Sequence, residues 1–495
     1  MSLQQALLHA EKIIGKGLPR IDGIDKVTGM VRYVEDLIPE NAYYVSISSS
    51  IYPHAIIKKI DKASAFEVPG VIAVLTHEDI PGINDVGYYI SDQPLLAVEK
   101  VRYVGDPIAL VVAKDQESAR EGAKRLKVEY EPLRPIFDVE NSLKGEIKIH
   151  DKGNIADIVK VRKGSVEKGF SESDIIVENT YTTGYQDHLY LETETAFAVP
   201  EGNNRLTVVG TFQNPFRVRN VIAQVLGLPN AAIKVVVPPI GGGFGGKDTM
   251  GPIIGSMVAS ASFRTGKPTV IKFTREDPIK YHYKRAPFII NYKSGCTKEG
   301  KLVAVDVNYY VNVGAYATQG VALMKRAAYH ATGPYEVPNV RVEGKAVYTN
   351  NIPVAAFNGF GNVQMQFAAE SQMDECANKL GIDPVEFRLK NALVEGSRTG
   401  TNQLLDHSVG IKELIATIAE VGRWKERRQK ILESPSNAIK KGIGIACSWH
   451  GNGTTGTKQD WAGASVILNL DGSITYRTGI VEIGQGTHTA HAMII

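Results

Sequence analysis

The chain has 495 residues, 43% of them apolar, and a formal net charge of +3, enough chain for two or more domains with cores of their own. Charge this nearly balanced excludes a protein held to nucleic acid by a basic surface, and no run approaches the roughly 20 apolar residues that span a bilayer. The three cysteines, Cys296, Cys376 and Cys447, form no CxxC pair, which excludes an iron–sulfur cluster or a cysteine-built zinc site in this chain.

The opening MSLQQALLHAEKIIGKG is a short amphipathic segment without an apolar core of secretory length, so a cytoplasmic protein is expected. Over residues 17–138 short strands (YYVSISS, GVIAVLT, DPIALVVA, VEYEPL) alternate with a single good helix, QESAREGAKRLK, which predicts a compact α+β module. Residues 139–164 are polar, glycine-punctuated and weakly periodic, and read as a connector. From 165 to 495 the elements lengthen into one larger α+β domain. It has a helix near 216–226, strands in GKPTVIKFTRED and LVAVDVNYYVNVGAYAT, a helix near 364–380, and a second begun by Asp383 and Pro384. The basic run RWKERRQK at 423–430 is interrupted by Glu426 and reads as a solvated helix face. His488 and His491 are three apart on one prospective helix, but no acid stands at ligand spacing to complete a metal site.

The stretch IKVVVPPIGGGFGGKDT at 233–249 is the most informative. Five of the six residues 241–246 are glycine, and each costs roughly 0.5–1 kcal/mol of backbone entropy relative to alanine. A plain turn needs one or two, so this loop lets backbone amides and the ring of Phe244 approach something. Two nucleotide motifs nearly fit. Gly241, Gly243 and Gly246 have the GxGxxG spacing, and Gly241, Gly246 and Lys247 most of GxxxxGK[ST]. Asp248 stands where the second motif needs a magnesium-binding hydroxyl. Pro238 and Pro239 end the strand early, and Pro252 is expected to stop the helix that the first motif requires.

In chain order the segments DGIDKVTGMVRYVED, PGVIAVLT, VRYVGDPIALVVA, TFQNPFRVRN, GGGFGGKD, FTRED, AFNGFGNVQMQFAAE, LGIDPVEFRLKNAL and GIVEIGQGTHT resemble the molybdopterin-binding large subunit of the xanthine dehydrogenase and aldehyde oxidase family, from about residue 17 onward. The resemblance implies an α/β-hammerhead-like domain followed by the first molybdenum-cofactor-binding α+β domain, with the second missing. The metal would be held by the dithiolene sulfurs of the pterin, which suits a chain poor in cysteine. The cofactor would be molybdopterin in its cytosine dinucleotide form, with 2Fe–2S clusters and FAD on partner subunits.

Residue by residue, Gln213 of TFQNP matches a glutamine that hydrogen-bonds a molybdenum ligand, and Gly243, Phe244 and Gly245 match the loop over the metal. Gly484, Gln485 and Gly486 match the pterin-binding GQG. Asp248 stands where purine-oxidising members carry a substrate-contacting glutamate, one methylene longer. Arg326 sits at the position of a substrate-orienting arginine, or is a helix surface residue paired with an acid. Phe360 matches a ring lying against the substrate. Asn358 departs from the pattern, since the family has arginine in AFRGFG near the metal, and asparagine removes a charge and a bidentate donor. Purines lose support thereby, while aldehydes, N-heterocycles or an aromatic thioester remain open. No residue ligates the metal directly; Gln213, Phe244 and Asn358 stand beside it.

The family's catalytic base is a glutamate in a GxGE motif, which this sequence lacks, so no catalytic residue is expected in this chain. Glu482 is expected to point along a strand. The chain then looks like a truncated sequence or one half of a split subunit, inactive without a C-terminal partner carrying that glutamate. A hydroxylase subunit, an inactive half-subunit and a Rossmann-type dehydrogenase stand as the alternative readings.

Overall fold

The computed structural model describes residues 13–433, 439–453 and 462–495; most of the opening amphipathic segment lies outside them. The strand Pro107–Ala113 is an unbroken apolar run because both its faces are buried. It pairs antiparallel with Tyr43–Ser49 on one side and Val71–Leu75 on the other. The helix Gln116–Arg125 begins at Asp115, whose side chain accepts the N–H of Ser118, and buries Ala119 and Ala123.

This sheet continues out of the N-terminal module. Tyr43 and Tyr44 pair in parallel with Thr269 and Val270, and the order runs on through Thr195–Pro200 and Leu206–Gly210 to the edge strand Ile233–Val236. Helices Pro215–Leu226 and Gly246–Thr265 pack on one another beneath it, burying Phe212, Val218, Ile222, Ile254 and Met257 in one core. Each such side chain contributes about 1.5–3 kcal/mol on leaving water.

Pro252 does not stop a helix. It lies inside Gly246–Thr265, nearly all of which is buried. Its missing N–H and the clash with the preceding turn cost about 3 kcal/mol, and tertiary burial of a twenty-residue helix offsets that.

The stretch 139–164, expected as a connector, is instead the helix Val139–Lys144 and the strand Ile155–Lys163. That strand is the edge of a second sheet, ordered Ile155–Lys163, Asn339–Tyr348, Leu302–Gly314, Phe288–Cys296, Ile175–Thr182. Only Val159 and Val161 face inward on it, and an edge strand with one wet face gives a weak apolar pattern. Helices Gly320–Tyr329 and Asn362–Leu380 cover this sheet. The last described elements are the hairpin of Ala464–Leu468 with Ile474–Thr478 and the helix Thr487–Ile494. Among the described residues no helix is long and apolar enough to cross a membrane.

Candidate functional site

Beyond the edge strand Ile233–Val236, Pro238 and Pro239 end the extended backbone, and the glycine turn leads directly into Gly246–Thr265. Phe244 has φ +51 and Gly245, the N-cap, φ +107. A second turn of the same form precedes Asn362–Leu380, with Gly359 at φ +85, Phe360 at +44 and Gly361, again the N-cap, at +86. A phenylalanine held left-handed costs roughly 1–2 kcal/mol, and two of them side by side mark a site built at the expense of stability. The turns touch. The N–H of Asn358 donates to the carbonyl of Phe244 at 3.0 Å, and a Cβ on Gly245 would lie 2.7 Å from the carbonyl oxygen of Ala356. Phe244 is 43% exposed.

Gln213 immediately precedes the helix Pro215–Leu226, whose N-cap Asn214 accepts the N–H of Arg217. Its Oε1 accepts the N–H of Gly245 at 3.0 Å. Its Nε2 has no acceptor among the described residues, and neither do the N–H groups of Gly242, Gly243 and Phe244. These donors crowd the positive end of a long helix, a setting for an anionic or oxo-bearing group. The turn offers hydrogen-bond donors and no metal ligand, while all three cysteines are buried. That donor set fits a metal carried by sulfurs of its own organic cofactor.

Asp248 lies in the first turn of the same helix. Its carboxylate accepts from Gln319 Nε2 and from the Tyr88 hydroxyl, and Gln319 Oε1 accepts from the N–H of Ala356 at 2.7 Å and from Thr249 at 2.9 Å. Burial raises the pKa of Asp248 above the ordinary carboxylate value against the pull of those donors. Arg217 stacks over the Tyr88 ring at 3.8 Å. Phe360 is half-buried against the core below the second sheet.

Arg326 is buried and not a surface residue. Its guanidinium donates to the carbonyls of Gly451, at 2.7 Å, and Gly453, so it holds down that segment. Asn358, where the resembled pattern has arginine, is met by another arginine. Arg285 donates to the Asn358 carbonyl at 3.1 Å and to Gln186 Oε1 at 2.6 Å, and lies 3.9 Å over the Phe357 ring. Its segment, KRAPF, carries no motif that sequence reasoning could have used.

Beneath the glycine turn are two buried histidines. A Cβ on Gly246 would sit 2.7 Å from Nε2 of His282, which lies 3.2 Å from Glu194. His188 bonds the carbonyl of Ala356 at 2.7 Å. Burial holds His188 down at about 4 and His282 at about 3, and raises Glu194, which accepts from Tyr190, to about 7.

The 484–486 loop opens the helix Thr487–Ile494, with Gly486 as N-cap. Glu482 does not point along a strand. It turns under the loop and accepts the N–H groups of Gly484 (2.8 Å), Gly486 (3.0 Å) and His488 (3.1 Å), while Arg20 donates to Glu482 and to the Gly484 carbonyl. Gln485 folds back, accepting from the N–H of Ile483 and donating to the Val481 carbonyl. The segment 478–482 and residues 233–239 wall a cleft of about 660 Å³ into which Lys26, Arg219 and Lys234 bring positive charge. Asp22, Glu482 and His488 converge there with ligand atoms within 4.8 Å of one another, acids that sequence spacing could not show. Both carboxylates are already engaged by Arg20, and Asp22 by Lys26 as well. Gln213, the glycine turn, Asn358 and Phe360 thus form one assembly, with 484–486 set apart across the cleft.

Comparison with known proteins bears on the same residues. Residues 149–392 match a family model described as a molybdopterin cofactor-binding domain, and 28–134 the a/b hammerhead domain of aldehyde oxidase and xanthine dehydrogenase. Residues 417–495, read from the sequence as the end of the first cofactor domain with the second missing, match a further molybdopterin cofactor-binding domain model. A probable xanthine dehydrogenase component of Bacillus subtilis, named as one subunit of that enzyme, is 36% identical over 96% of this chain and 63% of its own length. The nicotinate dehydrogenase large molybdopterin subunit of Eubacterium barkeri is 37% identical over 83% of this chain and 96% of its own. Among solved structures, the aldehyde oxidoreductase of Desulfovibrio gigas superposes with a TM-score of 0.86 at 31% identity, covering 92% of this chain and 51% of that one. The chain therefore spans about two-thirds of the Bacillus relative and half of the Desulfovibrio enzyme. The protein belongs to the molybdopterin-binding subunits of the xanthine dehydrogenase and aldehyde oxidase family.

Proposed function

We propose that the two Gly-Phe-Gly turns and the 484–486 loop together hold molybdopterin in its cytosine dinucleotide form. The protein would serve a hydroxylase that oxidises a C–H bond of an aldehyde or N-heterocycle with oxygen from water. When bound, the cofactor supplies the two-electron redox change. Gln213 Nε2 and the amides of Gly243 and Phe244 donate to its anionic edge, and Asn358 keeps Phe244 in place. Lys26, Arg219 and Lys234, with the N–H of Gln485, suit the phosphates of the dinucleotide, while Glu482 holds the amides of Gly484 and Gly486 and so sets the shape of that loop. Phe244 and Phe360 flank a flat substrate, and Asp248, held by Gln319 and Tyr88, meets its polar edge. Arg326 acts from behind, through the segment at 451–453.

The nicotinate named for the Eubacterium relative and the aldehyde named for the Desulfovibrio enzyme support this substrate range. That the Bacillus and Eubacterium relatives are each named as one component of a larger enzyme supports partner chains, to which we assign the 2Fe–2S clusters and the FAD. Asp248 and Glu482 are both tied up by donors of their own, so the carboxylate that takes the proton is assigned to a GxGE glutamate outside these residues, on a further segment or a C-terminal half-subunit. A Rossmann-type dehydrogenase draws no support from the sheet, in which Leu206–Gly210 and Thr195–Pro200 run antiparallel beside the strand that feeds the glycine turn.

The observation that carries the proposal is the set of unpaired donors, Gln213 Nε2 and the amides of 242–244, gathered at one helix N-terminus. Elemental analysis and acid hydrolysis of the protein purified with its partners should yield molybdenum and a cytidine nucleotide. Bound nicotinamide nucleotide without molybdenum would refute it.

A further inference from the structure

One carboxylate oxygen closes the glycine turn at both ends. Glu192 Oε2 accepts the N–H of Gly241, where the turn begins, at 2.7 Å, and pairs with Nζ of Lys247, where it has become helix, at 3.0 Å. The N–H of Glu192 returns a bond to the Gly241 carbonyl at 3.2 Å. Lys247 is completely buried, its ammonium 4.5 Å from the centre of the Tyr190 ring. It is therefore not a lysine reaching out to phosphate, as its place in the sequence suggests.

An ammonium buried in the first turn of a helix is doubly costly, since it loses water and stands at the positive end of the helix dipole. An apolar side chain of similar length would fill the space more cheaply. What the charged pair adds is geometry. Between its two anchors, residues 242–245 are held by the Gln213 bond to Gly245, the Asn358 bond to Phe244, and the bonds that the Gly243 and Gly245 carbonyls accept from the N–H groups of Gly246 and Asp248, while the N–H groups of 242–244 have no acceptor among the described residues.

We propose that Glu192 and Lys247 are a positioning pair that fixes the span of the glycine turn, so that Phe244 and the amides beside it are preset for the group they receive. The inference rests on the turn being the cofactor loop, but the pair's hold on the turn is measurable without any cofactor. In Glu192→Gln the amide oxygen takes the place of Oε2 and still accepts from Gly241, while the negative charge that pairs the buried ammonium is lost. Lys247→Met together with Glu192→Gln removes the mismatch and keeps the Gly241 bond.

The test is hydrogen exchange across 240–250 in the full chain without cofactor, together with turnover of the assembled complex. Glu192→Gln should speed exchange of the turn amides at least about tenfold and lower kcat with little change in KM. The double variant should return both most of the way. Exchange unchanged in Glu192→Gln, or a double variant as loose as the single one, overturns the proposal. A turn loosened by Glu192→Gln in a complex that carries no molybdenum would instead refute the functional assignment and leave the pair standing. Circular dichroism of each variant separates a loosened turn from a chain that failed to fold.

Discussion

The N–H of Asn358 donates to the carbonyl of Phe244 at 3.0 Å. Through that bond two helix N-termini, 246 and 362, from helices under different sheets, present left-handed phenylalanines beside one another. Since the bond is made by backbone, the residue at 358 is free to change without losing it, and Arg285 bonds the carbonyl of the same residue. Asparagine in place of arginine therefore alters the charge near the turn more than its shape.

Gln213→Ala removes the acceptor for the Gly245 N–H and a donor to the cofactor. An unsatisfied partner in a dry site costs about 1–3 kcal/mol, so turnover should fall by about tenfold to a hundredfold while molybdenum content holds. Turnover equal to the unaltered complex would take Gln213 out of the site.

Asp248→Ala should raise KM for a heterocycle with a polar ring edge by about tenfold and leave kcat nearly unchanged, the mark of lost ground-state binding. Steady-state kinetics on paired heterocycle and aldehyde substrates checks this. An equal loss on both would show that Asp248 supports the turn and does not read the substrate.

Stability should fall in acid. His188, His282 and His330 sit at about 4, 3 and 4 in the folded chain, below the ordinary histidine value because burial disfavours their charge. The unfolded chain thus binds more protons below pH 6.5, and stability present above that pH is lost as pH falls, about 3–5 kcal/mol per histidine as an upper bound. Glu194, raised to about 7, works the other way between its ordinary value and 7, since the folded chain then holds the extra proton. His150, also held at about 4 by burial, joins the histidines and Asp106, raised to about 6 by burial, joins the acid, and four histidines outweigh two acids. Calorimetry should show Tm dropping from pH 6.5 to 4.5, and less steeply in His188→Gln, which keeps a donor for Ala356. Parallel slopes would contradict this.

Arg388 is wholly buried between Glu370, at 2.8 Å, and Asp374, at 2.7 Å, and Glu370 also accepts from Tyr335 and from the N–H of Cys447. Arg388→Met should destabilise the chain by about 3–5 kcal/mol by stranding the buried Glu370 carboxylate, read as a fall in denaturant midpoint. A change below about 1 kcal/mol would mean that the carboxylate finds water or a proton at little cost.

The glycine turn was legible because its excess of glycine has no cheap structural explanation, and Gln213 because it sits in a recognisable TFQNP. Pro252 misled, since a local helix-breaking rule yields to a helix buried on almost every side. The strand Ile155–Lys163 hid behind one inward valine pair. Glu192 stands 55 residues from Lys247, and Arg285 shares no pattern with Asn358. No local spacing encodes either contact. The roles of Arg326 and Glu482 went astray for the same reason, because their partners at 451–453 and 484–488 are carbonyls and amides with no side-chain signature.

The central claim is that the turn at 241–246 holds the molybdenum cofactor, and Gly245→Ala tests it most directly. At φ +107, with Ala356 oxygen 2.7 Å from the added Cβ, alanine must displace the turn or the Ala356–Phe357 backbone beside it. Molybdenum measured by mass spectrometry in the assembled, correctly folded complex should be largely lost in Gly245→Ala and retained in the control Gly266→Ala, which alters a helix end with open space around it. Full molybdenum and full turnover in Gly245→Ala would contradict the assignment.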